Sequence, residues 1–265
     1  MKKLHKSIAA LIGFVCIVLA MGWILKEHFS PVTVSNVELV FGDHLISYVL
    51  DDNEVMTFNL FGVQPLSKNG MDLSEFIKDV KFENPHIEIL NFQLHTHYQH
   101  EKYQLFNLMV DVILNSKNIE RTSTLIVQNF QGETKKYSIG EIVLTAKYQE
   151  FEEVFDIVNG EYTVLYPTSS LPFEVHLRNV SDETVVIHCI DDITGSLSYS
   201  KDIYVNSQKY QIINIRSFEG KKYDFYSFTP IIHFTTMGKS AKQVLPRVLY
   251  GAFIDETEMI EKILH

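Results

Sequence analysis

Nineteen consecutive residues, Ser7 to Leu25, carry no charged side chain, and Lys2, Lys3 and Lys6 precede them while Lys26, Glu27 and His28 follow. Such a run has few ways to fold in water. As a helix rising about 1.5 Å per residue it is just long enough to cross a hydrocarbon core of roughly 30 Å. Three lysines and no acid among the first six residues orient that helix with its N-terminus in the cytoplasm, by the excess of positive charge on the inner side. The expectation is a single-pass signal-anchor at the cell membrane over residues 1–28, in contact with lipid through Ser7 to Leu25, with the bulk of the chain extracytoplasmic. Cleavage after Ala20-Met21-Gly22 is the competing reading and would release a secreted ligand-binding protein. Trp23, placed as an interfacial anchor, and the apolar continuation through Leu25 favour retention. Val15 before Cys16 is too bulky for a lipid-attachment site.

From Phe29 onward the chain holds 19 Lys and Arg against 32 Asp and Glu, a formal charge of −13. That field repels nucleic acid and anionic headgroups, so no nucleic-acid partner is expected. Hydrophobic residues make up 46% of the sequence, and 18 Phe and 13 Tyr supply bulk for a packed core rather than a disordered tail. Of two cysteines, Cys16 lies in the apolar run and Cys189 is left without an intramolecular partner. A fold without disulfides in that compartment points to a bacterial envelope.

The remaining pattern is mainly β. Short β-rich runs alternate with turn residues at Val37 to Phe41, His44 to Leu50, Val55 to Leu60, Ile87 to His97, Tyr103 to Leu114, Arg121 to Phe130 and Glu141 to Tyr148. One short helix is expected at Leu73 to Val80, with Asp72 and Glu75 forming a capping box. The acidic stretch Gln149 to Phe155 and the Asn159-Gly160 turn suggest a hinge. The division expected is a first β-sandwich-like domain at 29–148, a hinge at 149–158 and a second at 159–265. In the second, the run from Phe173 alternates almost strictly, with Phe173, Val175 and Leu177 on one face and Glu174, His176 and Arg178 on the other, and after Ser181-Asp182-Glu183 comes the β-branched run Thr184 to Ile190, which together predict a hairpin over Phe173 to Ile190. This block resembles those of bacterial immunoglobulin-like sandwiches, which implies that architecture for the second module. Further strands are expected at Ser198 to Val205, Lys209 to Ile215 and Ile231 to Thr235. Met259, Ile260, Ile263 and Leu264 recur at helical spacing, predicting a C-terminal amphipathic helix docked on the second domain.

Candidate chemistry is sparse. His95, His97 and His100 are the densest cluster of metal-ligand types: residues two apart share a strand face, so two imidazoles can meet one zinc or copper ion, with His100 or Glu101 completing the set. Gly238-Lys239-Ser240 lacks the earlier glycine of a phosphate loop, having His233 there. Ser198 and Lys201 sit three apart on an expected strand, where they face opposite ways. Cys189, in an apolar run beside His188, reads as core. Asp191-Asp192 and Asp51 to Glu54 read as turn chemistry. Tyr223, Phe225 and Tyr226 lie in a polar segment, Glu219 to Phe228, and aromatics on a loop favour partner recognition. The functional expectation is a membrane-tethered, non-catalytic adaptor or accessory protein working through protein contacts, with no cofactor. A metalloprotein built on His95, His97 and His100 is the alternative.

Overall fold

Val40–Phe41 (β1) leads through Gly42 into His44–Leu50 (β2), a strand buried at all seven positions. A strand covered on both faces needs apolar or satisfied side chains at every position rather than every second one. Tyr48 stacks on Phe58 with centroids 5.6 Å apart, while Leu45, of opposite phase, joins a different core with Val175, Ile190 and Phe234. β2 is therefore the common wall of two cores.

The computed structural model describes residues 38–66, 73–147, 151–158, 162–165, 173–215, 219–220, 223–250 and 255–265. After β2 come β3 (Val55–Pro65), β4 (Ile77–Phe82), β5 (Ile87–His100), β6 (Tyr103–Leu114), β7 (Glu120–Asn129) and β8 (Thr134–Ala146). Then follow β9 (Phe155–Ile157), β10 (Tyr162–Leu165), β11 (Phe173–Asn179), β12 (Val185–Asp191), β13 (Leu197–Val205) and β14 (Tyr210–Ile215). The chain ends with β15 (Glu219–Gly220), β16 (Phe225–Phe228), β17 (Ile231–Thr236), β18 (Lys239–Val244), β19 (Arg247–Tyr250) and one helix, α1 (Glu256–Leu264). Among the described residues no helix is long and apolar enough to cross a membrane; Ser7 to Leu25 and Asn159-Gly160 lie outside them.

These strands make four sheets. The antiparallel sheet β1-β3-β6-β5 faces the seven-stranded sheet β10-β19-β16-β2-β8-β7-β4. The latter takes strands from both sides of the 149–158 segment: β2 runs parallel to β16, with His44 opposite Phe225 and Ser47 opposite Phe228, and Glu38 to His265 forms one compact unit. The other two sheets, β14-β11-β9 and β15-β13-β12-β17-β18, share one core containing Phe155, Leu177 and Ile213 from the first and Ile187, Leu197 and Phe234 from the second. Setting aside β10, β15 and β16, that sandwich has its fifth, second and first strands in one sheet and its fourth, third, sixth and seventh in the other. This is the Greek-key arrangement of immunoglobulin-like sandwiches, with the fourth strand beside the third.

Three expectations are corrected. The helix expected at Leu73 to Val80 is a single 3-10 turn, Leu73–Glu75, followed by β4. Ile77 and Val80 look helical in spacing because a bulge between Ile77 and Asp79 inserts Lys78 and returns both apolar side chains to the core. The hairpin expected at Phe173 to Ile190 is an arch, since β11 pairs with β14 and β9 while β12 pairs with β13 and β17. Both strands alternate with one face inward because they cover the same core from opposite sheets. Asn179, fully buried, holds the arch: its Nδ2 donates to Glu183 O at 2.7 Å and Val205 O at 2.9 Å, and its Oδ1 accepts from Ser181 N and Oγ. Finally, α1 docks not on the second sandwich but on β3 and β6, where Met259, Ile260 and Ile263 meet Val63 and Leu105, with Phe225 of β16 beside them. Its start is capped by Asp255 Oδ1, which accepts from Thr257 N at 2.9 Å.

Candidate functional site

The chain abandons the β3 edge at one point. β1 covers β3 only at Gly62 and Val63, and Gly42 N donates to Phe61 O at 3.0 Å before the chain turns away into β2. An added Cβ on Gly42 would stand 2.6 Å from the Phe225 ring, so the turn needs glycine to pass. From Val55 to Leu60, β3 pairs with β6 on one side, and among the described residues no strand pairs with the other. A cavity of about 320 Å³ lies along this edge, between β3 and the ends of β2, β16 and β19.

Its walls are Ile46, Tyr48, Met56, Phe58, Phe61 and Phe225. Polar groups sit at fixed points. Tyr48 and Ser227 share a short hydrogen bond through their hydroxyls, and Arg247 Nη2 donates to Glu54 Oε1 at 2.6 Å while its guanidinium lies 5.3 Å above the Tyr48 ring. The volume falls in the range of small-ligand sites, and the mix of apolar walls with a few placed polar groups is typical of them.

His44 is at the base of the cavity and is committed to structure. Its Nδ1 lies 2.7 Å from Gly42 O and 3.3 Å from Ile139 O, both acceptors, so that nitrogen carries the proton. Nε2 then accepts from Phe61 N at 3.0 Å. Complete burial pushes this imidazole down to about 4, so it is neutral near pH 7 and has no free lone pair for acid-base work.

The aromatic trio expected to face a partner is buried: Tyr223, Phe225 and Tyr226 are each less than 8% exposed. Tyr223 donates from its hydroxyl to Glu141 Oε2 at 2.9 Å, and Tyr226 Oη accepts from Tyr223 N at 2.7 Å. Burial raises the Tyr223 phenol, with the adjacent Glu141 carboxylate adding to the effect. The polar residues around the trio in sequence mark turn backbone, whereas the Tyr223 and Tyr226 rings belong to the core of the second sandwich, and Phe225 packs against Met259, Ile260 and Ile263 of α1. Only Phe225 reaches the cavity wall together with Tyr226.

His95, His97 and His100 lie on β5, where the register against β6 slips between Thr96 and Gln99. His97 Nδ1 is 3.9 Å from Glu256 Oε1 on α1, and His100 stacks on Tyr98 with centroids 6.4 Å apart. Their nitrogens do not converge. Among the described residues, the three ligand-type side chains whose donor atoms all lie within 4.8 Å of one another are Cys189, Asp191 and His233. Cys189 is half-buried on the outer face of its sheet rather than in the core, because a bulge between Ile187 and Cys189 reverses the phase of β12. Burial and the neighbouring Asp191 raise its thiol, against the opposing charge of Lys242. Asp192 is the turn residue of the pair: it accepts from Ser47 Oγ at 2.8 Å, Thr194 Oγ1 at 2.6 Å and Leu197 N at 2.9 Å.

Sequence reasoning missed Arg247 and Glu54. The available signal was an arginine within the apolar run Val244 to Ile254, since a cation inside a buried strand needs an anion.

No protein-family model matches this sequence, and no curated protein matches it. Among solved structures, it is similar to a protein of unknown function from Porphyromonas gingivalis W83, at 12% identity and a TM-score of 0.23 over 82% of this chain and 99% of that one. A Bacteroides ovatus protein of a mixed-linkage glucan utilization locus, in complex with a heptasaccharide, is 9% identical with a TM-score of 0.21 over 76% and 42% of the two chains. The sialic acid binding region of a Streptococcus sanguinis adhesin is 9% identical with a TM-score of 0.22 over 82% and 78%. At these scores the likenesses carry no argument, and the architecture rests on the strand pairing alone.

Proposed function

We propose that this chain is a non-catalytic binding protein of a bacterial cell envelope, tethered through Ser7 to Leu25, that takes an extended segment of a partner protein on the open edge of β3. The observation that carries the reading is the stretch Val55–Leu60, whose outer edge no strand pairs among the described residues, beside an apolar cavity. An open edge offers a row of backbone donors and acceptors for an incoming strand, and the adjoining cavity takes its alternate side chains. Arg247 and Glu54 at the rim give that segment a charged pair to read. The titratable groups lining the cavity are already engaged, His44 by backbone and Glu54 by Arg247. That favours binding over turnover.

A photo-crosslinking residue at Thr57, which lines the cavity, tests this in full-length protein in native membranes, with Tyr204 on a distant exposed strand as the control site. The expected result is a discrete adduct with an envelope protein from Thr57 alone, on protein whose mass spectrum retains Met1. Equal adducts from both sites, or none from Thr57, would reject the edge as the binding surface; a terminus near Trp23 would reject the tether.

A further inference from the structure

The outer face of the five-stranded sheet brings together three side chains of different chemistry. Cys189 on β12 stands directly opposite His233 on β17, and Asp191 follows two residues after Cys189 on the same face. Without the bulge, Cys189 would keep the inward phase of Ile187; the bulge instead aims it outward beside Asp191, while Ile190 returns to the core. Bulges often re-aim a side chain at a functional position.

We propose that Cys189, Asp191 and His233 form a site for a single zinc-class divalent ion. One thiolate, one imidazole and one carboxylate suit zinc, and three protein ligands leave the fourth tetrahedral position for water or a ligand from a partner. All three are partly shielded: the Asp191 and His233 side chains are 21% and 27% exposed, enough for an ion to reach them and to strip part of its hydration. In this structure His233 Nε2 and Asp191 Oδ1 are hydrogen-bonded at 2.7 Å. Metal–ligand bonds of roughly 2.0 Å at a tetrahedral angle set those atoms about 3.3 Å apart. Loading therefore parts the pair by about half an ångström, or turns the second carboxylate oxygen to the ion. As the sulfur–metal bond forms, the thiol's proton leaves to solvent. Ser198 and Ser200 on β13 sit opposite Asp191 and Cys189, and Lys242 sits opposite His233 on β18; these surround the site with hydroxyls and one cation that favours an anionic fourth ligand.

The test uses the full chain in detergent, reduced, with Cys16→Ser as the background so that Cys189 is the sole thiol. Cobalt(II) is titrated and followed by absorption, then displaced with zinc(II). The expected result is a saturable thiolate-to-cobalt charge-transfer band at one ion per chain, abolished by Cys189→Ser. Affinity should fall more than about tenfold in Asp191→Asn and His233→Ala, with circular dichroism unchanged, and should be unaffected by His95→Ala/His97→Ala. No saturable band, or a band that survives Cys189→Ser, overturns the site. If Cys189→Ser proves misfolded, zinc protection of the Cys189 thiol from alkylation decides instead, and equal alkylation with and without zinc overturns it.

Discussion

Arg247 and Glu54, 193 residues apart, meet at 2.6 Å across the mouth of the β3 cavity. Glu54 is held from behind as well, since its other oxygen accepts from Asp51 N at 2.9 Å. A preset carboxylate loses less conformational freedom on pairing, so this bridge contributes more than an ordinary surface pair, while its 18% and 24% side-chain exposure keeps it below a fully buried one. Arg247→Ala should lower stability by about 1 to 2 kcal/mol, read as a shift of the urea midpoint at constant slope. A double-mutant cycle with Glu54→Gln should recover most of that as coupling; additive effects would show that the pair is not the source.

His44 gives the fold a defined acid sensitivity. Burial holds its folded pKa at about 4, below the ordinary imidazole value of 6.5, so the unfolded chain takes up a proton first as pH falls. Stability attributable to this group is complete above pH 6.5 and lost progressively down to about pH 4, totalling roughly 3 kcal/mol. The measurement is the pH dependence of unfolding free energy in wild type and His44→Gln. The wild type should lose stability faster between pH 6.5 and 4, and parallel curves would contradict the assignment.

Asn179 is the residue on which the arch between the two sheets of the second sandwich depends. Asn179→Asp keeps the shape but replaces the two donors with a carboxylate oxygen facing Glu183 O and Val205 O, so it should cost about 3 kcal/mol or more, at least as much as Asn179→Ala. The same burial removes Asn179-Val180-Ser181 from use as a glycosylation acceptor in the folded protein. Thermal unfolding of the two variants checks the order; an Asp variant close to wild type would sink the argument.

Local patterns were legible in the sequence and long-range ones were not. Glu256–Leu264 follows from helical spacing because it presents one apolar face, Met259, Ile260 and Ile263, to one core. His44–Leu50 was legible as a strand, but not as a shared wall between two cores, since continuous burial carries no phase. Bulges defeated the rest: one made Ile77 and Val80 look helical, and another moved Cys189 from core to surface, and neither leaves a mark that periodicity can detect. The cavity was invisible because Arg247 reaches Tyr48 and Glu54 only through two long-range pairings, β2 with β16 and β16 with β19.

Helix α1 supports one wall of that cavity from behind, which makes it a remote control on binding. Ile260, 1% exposed, packs with Phe225 in a small cluster, and Lys262 Nζ donates to Asp224 O at 2.7 Å and lies 5.8 Å from the Phe225 ring. Burial lowers the Lys262 ammonium, and the Asp224 and Glu258 carboxylates oppose that shift. Truncating Ile260 to alanine leaves a void under Phe225 and should cost about 2 to 4 kcal/mol. With Phe225 free to shift toward the void, crosslinking from Thr57 should weaken in the same variant even at temperatures where it is fully folded. A fully folded Ile260→Ala protein with unchanged Thr57 adducts would separate the helix from the site and leave α1 a purely structural cap on β3 and β6.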